Sequence, residues 1–362
     1  MNTYTTKKKA RLILKNGKEF TGYSFGYEGP VAGEVVFNTA MTGYPESLTD
    51  PSYKGQILVS TFPMIGNYGV PKSEMENGIL KGFESDRIQV SGLVISDYST
   101  EYSHWNAGQS LGDWLRQHKV PGICGIDTRA LTKIIRESGC MLGKIIINDE
   151  VPDWYDPNAE NLVAMVSTTE KKVYGNGKHR IMLIDCGVKF NIIRSLLEFD
   201  TTVIRAPYDY DFLKEDYHGL FITNGPGDPA MCKQTIEHLS KAIDGDKPIF
   251  GICLGSQLLA LAGGGTTFKL KYGHRSHNQP VLQHGTNQCF ITSQNHGYAV
   301  DHNKIKSEWE VYFTNLNDNT CEGIRHRQKP ILATQFHPEA SGGPTDTAFL
   351  FGQFIDLIEK QQ

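Results

Sequence analysis

The sequence lacks the features that mark several classes of protein. Its seven cysteines are scattered and no two form a Cys-x-x-Cys pair, so we expect no disulfide framework and no metal site. No stretch approaches the roughly 18 apolar residues that a membrane helix needs. The net charge of −4 gives no electrostatic reason to bind nucleic acid or an anionic membrane. Because unpaired thiols are typical of reducing compartments, we expect a cytoplasmic protein.

The length of 362 residues predicts about two domains of roughly 150 residues each. Residues 1–150 read as a smaller mixed α/β domain that is rich in strands. Residues 151–178 have weak periodicity and several prolines and glycines, which is typical of a loosely structured linker. Residues 179–362 alternate apolar strands with helices, which predicts an α/β domain whose mostly parallel sheet is flanked by helices.

Local signals predict three features of the first domain. Asn16-Gly17 between two apolar runs predicts a β-hairpin. Asp127 is a suitable N-cap for a helix that starts at Thr128 and ends before Gly139. The polar segment 42–53 predicts a loop, of a length at which loops are often functional.

The stretch Gly251-Ile-Cys-Leu-Gly255 predicts a thiol at a tight turn between a buried strand and a helix. Glycines on both sides of Cys253 let the backbone turn sharply, and such an elbow exposes the sulfur at the end of the strand. The N-terminus of the following helix favours the thiolate form. Taken alone, the stretch is equally compatible with a structural cysteine, because free thiols are commonly buried.

His337-Pro-Glu339 supplies the partners that a cysteine nucleophile needs. The segment closes a predicted strand, and side chains two residues apart in extended chain lie on one side. The carboxylate of Glu339 can therefore orient the imidazole of His337, whose other nitrogen serves Cys253 as a base. Ligands of parallel sheets bind beyond the carboxyl ends of the strands, so we expect the turn Asn224-Gly-Pro-Gly227 to share this cleft. Together these patterns indicate catalysis by cysteine.

Gly251-Ile-Cys-Leu-Gly255 with His337-Pro-Glu339 resembles the signature of class I, or triad, glutamine amidotransferases. In that family the cysteine attacks the side-chain amide of glutamine, releases ammonia and forms a thioester that water hydrolyses. The resemblance implies that Cys253, His337 and Glu339 are catalytic. It also implies an oxyanion hole made by the amide of Leu254 and an amide of the turn at 224–227. The implied glutamine contacts in this half are Gly225, Gly227, Leu254, Gln257, Asn295, Gly297 and Tyr298.

Motifs in the first half resemble the N-terminal domain of the carbamoyl-phosphate synthase small subunit. They include Gly33-Glu-Val-Val-Phe-Asn38, Met41-Thr-Gly-Tyr-Pro-Glu46, Phe62-Pro-Met-Ile-Gly-Asn67 and Gly125-Ile-Asp-Thr-Arg129. The resemblance covers essentially the whole chain, since both halves carry such motifs. It further implies that Ser52 reaches across to the bound glutamine.

This resemblance implies a glutaminase subunit that hydrolyses L-glutamine and delivers ammonia to a large subunit. The large subunit makes carbamoyl phosphate from bicarbonate and ATP, for arginine and pyrimidine biosynthesis. We then expect ATP and Mg on the large subunit and no cofactor in this chain, which has no Gly-x-x-x-x-Gly-Lys-Ser/Thr loop. The resemblance also implies a higher oligomer of heterodimers.

Two other interpretations of the sequence compete with this one. The chain could be the class I amidotransferase subunit of a different synthase, but the motifs of the first half argue against that. It could be a scaffold that only holds a partner, but the presence of all three triad residues argues against a loss of catalysis. One position departs from the family pattern, because many members have histidine where this chain has Ser256. The departure leaves the hydrogen bonding beside Cys253 open.

Overall fold

A computed structural model describes residues 8–361 as two compact units, with the division between Ala159 and Glu160. The first seven residues and Gln362, which the predicted domains 1–150 and 179–362 include, lie outside the described residues. Among the helices of residues 8–361, none is long and apolar enough to cross a lipid bilayer.

The first unit is built on a closed barrel of seven strands. The strands of the whole unit, including six outside the barrel, are β1 (Lys9–Leu14), β2 (Glu19–Ser24), β3 (Val31–Asn38), β4 (Gln56–Ser60), β5 (Met64–Ile65), β6 (Val70–Pro71), β7 (Met75–Glu76), β8 (Ile79–Leu80), β9 (Gly92–Val94), β10 (Asp97–Tyr98), β11 (Ala107–Gln109), β12 (Gly122–Cys124) and β13 (Met141–Ile147). Its helices are α1 (Tyr44–Thr49), α2 (Leu111–Gln117) and α3 (Thr128–Ser138), with 3-10 turns at Pro51–Tyr53 and Pro157–Ala159.

The barrel mixes parallel and antiparallel pairing. Its strand order is β1-β13-β3-β4-β9-β12-β2. The neighbours from β3 to β12 pair in parallel, and the other neighbours pair antiparallel. The unit is therefore the strand-rich, mixed α/β fold that the sequence predicts.

Two local predictions in this unit are confirmed. β1 and β2 form an antiparallel hairpin around Asn16-Gly17, where Gly17 has a φ of 84°. Positive φ is accessible to glycine without steric cost, which is why this dipeptide marks tight hairpins. The side chain of Asp127 accepts a hydrogen bond from the amide of Ala130 at 2.8 Å and caps α3.

The segment 42–53 is more ordered than the predicted loop. α1 and a 3-10 turn occupy most of it. The hydroxyl of Tyr68 accepts hydrogen bonds from the amides of Gly43 and Tyr44 at 3.0 and 3.1 Å. The rings of Tyr44 and Tyr68 stack with centroids 4.2 Å apart. A tyrosine distant in sequence therefore caps α1, which Gly43 cannot do because it has no side chain.

The second unit contains a ten-stranded sheet. Its strands are β14 (Lys172–Gly175), β15 (His179–Asp185), β16 (Thr201–Pro207), β17 (Gly219–Ile222), β18 (Ile249–Ile252), β19 (Thr267–Gln283), β20 (Cys289–Val300), β21 (Trp309–Asn315), β22 (Cys321–His326) and β23 (Ile331–Thr334). Its helices are α4 (Leu162–Val166), α5 (Phe190–Leu197), α6 (Lys233–Asp244), α7 (Leu254–Ala262) and α8 (Phe349–Glu359), with 3-10 turns at Phe212–Lys214, Pro229–Met231 and His302–Lys304.

The sheet has a parallel centre and an antiparallel extension. Its order is β14-β16-β15-β17-β18-β23-β22-β20-β19-β21, and β21 also pairs with β22. Neighbours from β16 to β23 pair in parallel. The remaining neighbours pair antiparallel. The parallel centre agrees with the predicted α/β class, and the extension comes from the long hairpin of β19 and β20.

Helices cover both faces of the parallel strands. On one face, Phe354 of α8 packs with Phe221 of β17 and Phe250 of β18, with ring centroids 5.6 and 5.9 Å apart. Because side chains alternate along a strand, Ile222 points to the opposite face. There it belongs to a buried cluster with Leu258 of α7. This packing holds α7 against the centre of the sheet.

The prediction of a loosely structured linker at 151–178 is wrong for its second half. α4 and β14 lie there, within the second unit. β14 pairs antiparallel with β16 at one end of the sheet. The amide of Thr168 also donates a hydrogen bond to the carboxylate of Asp185 at 2.7 Å. These contacts join residues that are distant in sequence, so local periodicity gave no sign of them.

Gly255 lets α7 lie directly against β17, and we expect Gly255→Ala to disrupt this packing. A Cβ at position 255 would lie 2.2 Å from the carbonyl oxygen of Ile222, and no side-chain rotation relieves a clash with backbone. The free energy of unfolding should fall by about 2–3 kcal/mol, seen as a lower thermal midpoint.

The matched control for this substitution is Gly352→Ala in α8. A Cβ there would be 3.9 Å from its nearest neighbours on Phe199, and alanine is the better helix former. The thermal midpoint of the control should hold or rise. An unchanged midpoint for Gly255→Ala would contradict the packing described here.

Candidate active site

Cys253 lies at the turn between β18 and α7 in a strained backbone conformation. Its φ of 54° and ψ of −104° form a combination that residues with side chains rarely adopt. The amide of Cys253 donates to the carbonyl of Thr334 at 2.7 Å, which ties the turn to β23. The side chain is buried, and its sulfur is 3.7 Å from the carbonyl oxygen of Asn295. The structure therefore contains the elbow that the glycine-flanked cysteine predicts.

His337 and Glu339 follow β23, the strand that pairs with β18. The Nδ1 atom of His337 lies 2.6 Å from Oε1 of Glu339. The backbone amide of His337 donates to the carbonyl of Ser293 at 2.9 Å, which positions the backbone that carries the ring. Because the carboxylate of Glu339 can only accept a hydrogen bond, Nδ1 of His337 carries the proton and donates it. The Nε2 atom is then the one that can exchange a proton with a nucleophile.

Lys189 is a member of the site that the sequence analysis missed. Its ammonium is 3.1 Å from Oε1 of Glu339, and the two side chains are only 9% and 0% exposed. Lys189 follows the end of β15 and precedes α5, and its amide donates to Oδ1 of Asn224 at 3.1 Å. The rule that ligands meet at the carboxyl ends of parallel strands applies equally to segment 185–189. That signal could have found this lysine.

The pKa values of His337 and Glu339 follow from burial and from neighbouring charges. Burial and the Lys189 ammonium lower the pKa of His337, but the charges of Glu339 and Cys253 outweigh them and raise it to about 10. Burial raises the pKa of Glu339, but Lys189 and His337 outweigh it and lower that pKa to about 2. At neutral pH the site therefore holds an imidazolium beside a carboxylate.

Side chains predicted to contact glutamine converge on the elbow from α7 and β20. Gln257 of α7 donates to the carbonyl of Tyr298 at 2.9 Å. Asn295 of β20 places its carbonyl oxygen beside the sulfur of Cys253, and Gly297 lies between Asn295 and Tyr298 in the same strand. The structure thus places Asn295 beside the thiol and joins Gln257 to Tyr298, which lies in the same strand as Asn295. Their contacts with glutamine itself stay predictions.

The loop that follows β17 packs against the elbow. A Cβ on Gly225 would lie 2.1 Å from the carbonyl oxygen of Cys186 and 2.8 Å from the side chain of Leu254. Gly227 has a φ of 83°, which glycine adopts at little cost. Leu254 begins α7, and the first amides of a helix have no acceptor within it. The oxyanion hole predicted for these residues is compatible with this arrangement and stays a prediction.

Ser52 and Ser256 are the remaining positions that the sequence analysis singled out. Ser52 is buried in the 3-10 turn of the first unit, where its amide donates to Asp50 at 2.9 Å, and its reach to glutamine stays a prediction. Ser256 is buried in α7, and its hydroxyl makes no hydrogen bond to any residue of the described chain. The departure at position 256 therefore leaves the bonds of the triad intact and adds an unsatisfied hydroxyl next to the elbow.

The site combines a nucleophile, a base and an orienting carboxylate with a second cation. The carboxylate of Glu339 contacts both the imidazolium of His337 and the ammonium of Lys189. This pairing lowers the cost of keeping ionised groups away from water. Such a set supports attack by sulfur on a carbonyl carbon, with proton transfer to the leaving group.

Comparison with protein families finds one match in each half of the chain. Residues 12–145 match the family model described as carbamoyl-phosphate synthase small chain, CPSase domain. Residues 182–357 match the family model described as glutamine amidotransferase class-I.

Curated relatives are similar over nearly the whole chain. The carbamoyl phosphate synthase arginine-specific small chain of Saccharomyces cerevisiae is 51% identical over 369 residues, which cover 98% of this chain and 90% of that protein. The mitochondrial carbamoyl-phosphate synthase (ammonia) of Aquarana catesbeiana is 50% identical over 97% of this chain. The multifunctional protein CAD of Squalus acanthias is 52% identical over 96% of it. The chain spans only 24% and 16% of these two longer relatives.

Glu339 should make the protein sensitive to acid. Because its pKa is lowered from 4.5 to about 2, the carboxylate stabilises the fold fully above pH 4.5, and this contribution is lost as the pH falls towards 2. Glu339→Gln removes that dependence. The thermal midpoint of the variant should therefore fall less steeply than that of the wild type between about pH 5 and about pH 3.

Glu237→Gln is the control for this acid titration. Glu237 lies on α6 and pairs with Lys241 at 2.8 Å, with 68% of its side chain exposed. Lys241 also lowers the pKa of Glu237, but water and salt screen an exposed pair, so its loss should change the slope of the wild type much less than the loss of Glu339 does. Equal slopes for Glu339→Gln and the wild type would show that the buried carboxylate does not depend on its two cations.

Proposed function

Because the chain belongs to the family of carbamoyl-phosphate synthase small chains, with a class I glutamine amidotransferase domain, we propose that it is the glutaminase subunit of a glutamine-dependent carbamoyl-phosphate synthase. It hydrolyses L-glutamine to glutamate and ammonia through a thioester on Cys253. One observation carries this proposal. A strained cysteine elbow stands beside a histidine whose Nδ1 is held by a buried carboxylate at 2.6 Å, which is the geometry that cysteine-based acyl transfer requires.

The first half of the reaction transfers the glutamyl group to sulfur. The thiolate of Cys253 attacks the side-chain amide carbon of glutamine, so a C–S bond forms and the carbonyl oxygen gains negative charge. The amide of Leu254 and an amide of the loop at 224–227 stabilise that charge, at about 3–4 kcal/mol for each such donor. The imidazolium of His337 gives its Nε2 proton to the amide nitrogen, the C–N bond breaks and ammonia leaves.

In the second half of the reaction, water hydrolyses the thioester. The now neutral His337 takes a proton at Nε2 from a water molecule, whose oxygen attacks the thioester carbon. The C–S bond breaks, the product leaves as the γ-carboxylic acid, which ionises to glutamate in solvent, and the thiolate and imidazolium are restored. Glu339 accepts from Nδ1 throughout, so the ring keeps its orientation while Nε2 loses and regains a proton. Lys189 keeps that carboxylate ionised during both steps.

The ammonia is delivered to a large subunit that makes carbamoyl phosphate from bicarbonate and ATP. The match of residues 12–145 to the small-chain domain and the likeness to a yeast small chain support this partner. ATP and Mg act on the large subunit, and this chain needs no cofactor for glutamine hydrolysis. In this proposal the heterodimers assemble into a higher oligomer.

The product serves arginine biosynthesis, and pyrimidine biosynthesis draws on the same carbamoyl phosphate. The naming of the yeast relative as arginine-specific supports the first of these roles. We place the protein in the cytoplasm, which agrees with seven cysteines that all lie in the described chain as free thiols. The match at residues 12–145 favours this function over an amidotransferase subunit of a different synthase.

Cys253→Ser should separate the two nitrogen sources of the complete enzyme. A serine hydroxyl at this position is a much weaker nucleophile than a thiolate, so glutamine-dependent synthesis should fall by about a thousandfold or more. Synthesis from added ammonia should persist, because it bypasses the thioester. Both rates are measured as carbamoyl phosphate formed by the complex of this chain with its large subunit.

The control for that experiment is Cys289→Ser, which replaces an exposed thiol and should leave both rates unchanged. An equal loss of both activities in Cys253→Ser would mean that the thiol is structural. If no large ATP-binding chain co-purifies with this protein from native extract, the proposed partner is wrong.

Ser52→Ala should weaken glutamine binding without affecting the use of ammonia. If the hydroxyl of Ser52 contacts the bound substrate, its removal should raise the KM for glutamine about tenfold, the worth of one hydrogen bond to a charged group. Ser47→Ala in the neighbouring α1 is the control and should keep the KM of the wild type. An unchanged KM in Ser52→Ala would exclude this residue from the glutamine site.

A further inference from the structure

A second cluster of buried polar side chains lies on the antiparallel half of the ten-stranded sheet, and the proposed reaction does not use it. His274 of β19 pairs in register with His296 of β20. Glu322 of β22 completes a set in which one ligand atom from each residue lies within 4.8 Å of the others. All three residues are buried. Within residues 8–361, no other group of three His, Cys, Asp or Glu side chains converges in this way.

The tautomer of His296 is fixed by its outer nitrogen. Nδ1 lies 2.8 Å from the carbonyl oxygen of Tyr298, and a carbonyl can only accept, so Nδ1 carries the proton. The Nε2 atom of the neutral ring therefore presents a lone pair. It faces Oε1 of Gln294 at a distance of 3.1 Å.

The orientation of the Gln294 amide is fixed as well. The hydroxyl of Thr292 donates to the carbonyl of Gln279 at 2.8 Å, so its oxygen accepts from Nε2 of Gln294 at 3.1 Å. This leaves Oε1 of Gln294 facing Nε2 of His296 at 3.1 Å and Nδ1 of His274 at 2.9 Å. The lone pairs of Gln294 Oε1 and His296 Nε2 repel each other unless a positive charge lies between them. The network therefore calls for either a metal ion or an additional proton at this point.

The residues of the cluster are also hydrogen-bonded to neighbouring side chains, as metal ligands usually are. His274 has its outer Nε2 at 2.8 Å from Oδ2 of Asp318. Glu322 accepts at Oε1 from Asn315 and Thr320, each at 3.3 Å, and Asn315 Nδ2 is also 3.5 Å from Nδ1 of His274. The Oε2 atom of Glu322 is buried without a hydrogen-bond partner in the described chain. Metal-bound histidines usually donate their outer N–H to a carboxylate or a carbonyl.

The separations between the inner atoms suit a tetrahedral ion. With metal–ligand bonds of about 2.0–2.1 Å, the ligands of tetrahedral zinc lie about 3.3–3.4 Å apart. Oε1 of Glu322 is 3.2 Å from Nδ1 of His274 and 3.8 Å from Nε2 of His296. We propose that His274, His296 and Glu322 bind a divalent cation of the zinc class, with the amide oxygen of Gln294 as the fourth ligand.

The proposed site is structural rather than catalytic. Four protein ligands leave no open position for water or substrate, and the ion would join β19, β20 and β22. Asn295, whose carbonyl faces Cys253, also lies in β20. The ion would therefore stabilise the strand that lies beside the thiol. The missing Cys-x-x-Cys pairs exclude a zinc ribbon or finger, but they do not bear on histidines and a carboxylate from three strands. The proposal does not depend on glutamine hydrolysis.

Cobalt binding to the full-length chain tests this site directly. Co²⁺ takes the ligands of zinc, and in a tetrahedral site it absorbs visible light. After dialysis against a chelator, the wild type should bind one Co²⁺ per chain with this absorption, and added Zn²⁺ should abolish it. The thermal midpoint should rise when Zn²⁺ replaces the chelator, because a ligand that binds only the folded state stabilises it.

Variants assign the cobalt signal to the cluster. Glu322→Gln keeps the size of the side chain but removes the anionic ligand, so Co²⁺ should bind at least about tenfold more weakly. Asp318→Asn weakens the support of His274, and at 41% side-chain exposure of Asp318 it should fold even if Glu322→Gln does not; we expect about tenfold weaker binding. Glu310→Gln on β21, which removes a partner of Arg325, should bind as the wild type does.

The competing outcomes overturn the proposal. If the wild type shows no tetrahedral cobalt absorption, a proton rather than a metal resolves the facing lone pairs. If Cys253→Ser abolishes the signal, the ion binds at the thiol and not at the cluster. If Asp318→Asn and a folded Glu322→Gln both bind Co²⁺ as tightly as the wild type, these residues are not part of a metal site.

Discussion

Glu339 keeps its charge inside the protein because two cations share its carboxylate. Lys189 and His337 both approach Oε1, at 3.1 and 2.6 Å, and the side chain of Glu339 has no exposed surface. An isolated carboxylate at such a position would take up a proton. The charge on Glu339 in turn maintains the imidazolium of His337. The chemistry of the elbow therefore rests on a lysine that never needs to touch the substrate.

The parallel centre of the sheet is what brings these charges together. β15, β17, β18 and β23 are consecutive neighbours in the sheet, and each delivers one part of the site from its carboxyl end. Lys189 follows β15, the loop at 224–227 follows β17, Cys253 follows β18 and His337 follows β23. Lys189 and Glu339 are 150 residues apart in sequence, so only this order of strands makes them partners.

Features of the fold and of the site could be predicted from the sequence where the residues that determine them lie within a few positions of one another. The elbow at Cys253, the His337-Pro-Glu339 segment, the hairpin at Asn16-Gly17 and the cap of α3 are all encoded locally. Lys189, the capping of α1 by Tyr68 and the pairing of β14 depend on residues far apart in the chain, and no local period reports them. The closure of the barrel is of the same kind, since alternation along a strand is the same in a barrel and in an open sheet.

The second unit exposes its sheet edge at one end only. β21 pairs with both β19 and β22, so that end of the described sheet folds back on itself. At the other end, β14 has four residues, begins with Lys172 and ends with Gly175. Short edge strands that carry lysine discourage the addition of further strands, and the barrel of the first unit has no edge. The two main sheets therefore offer little template for aggregation during the time that a newly made chain spends without its partner.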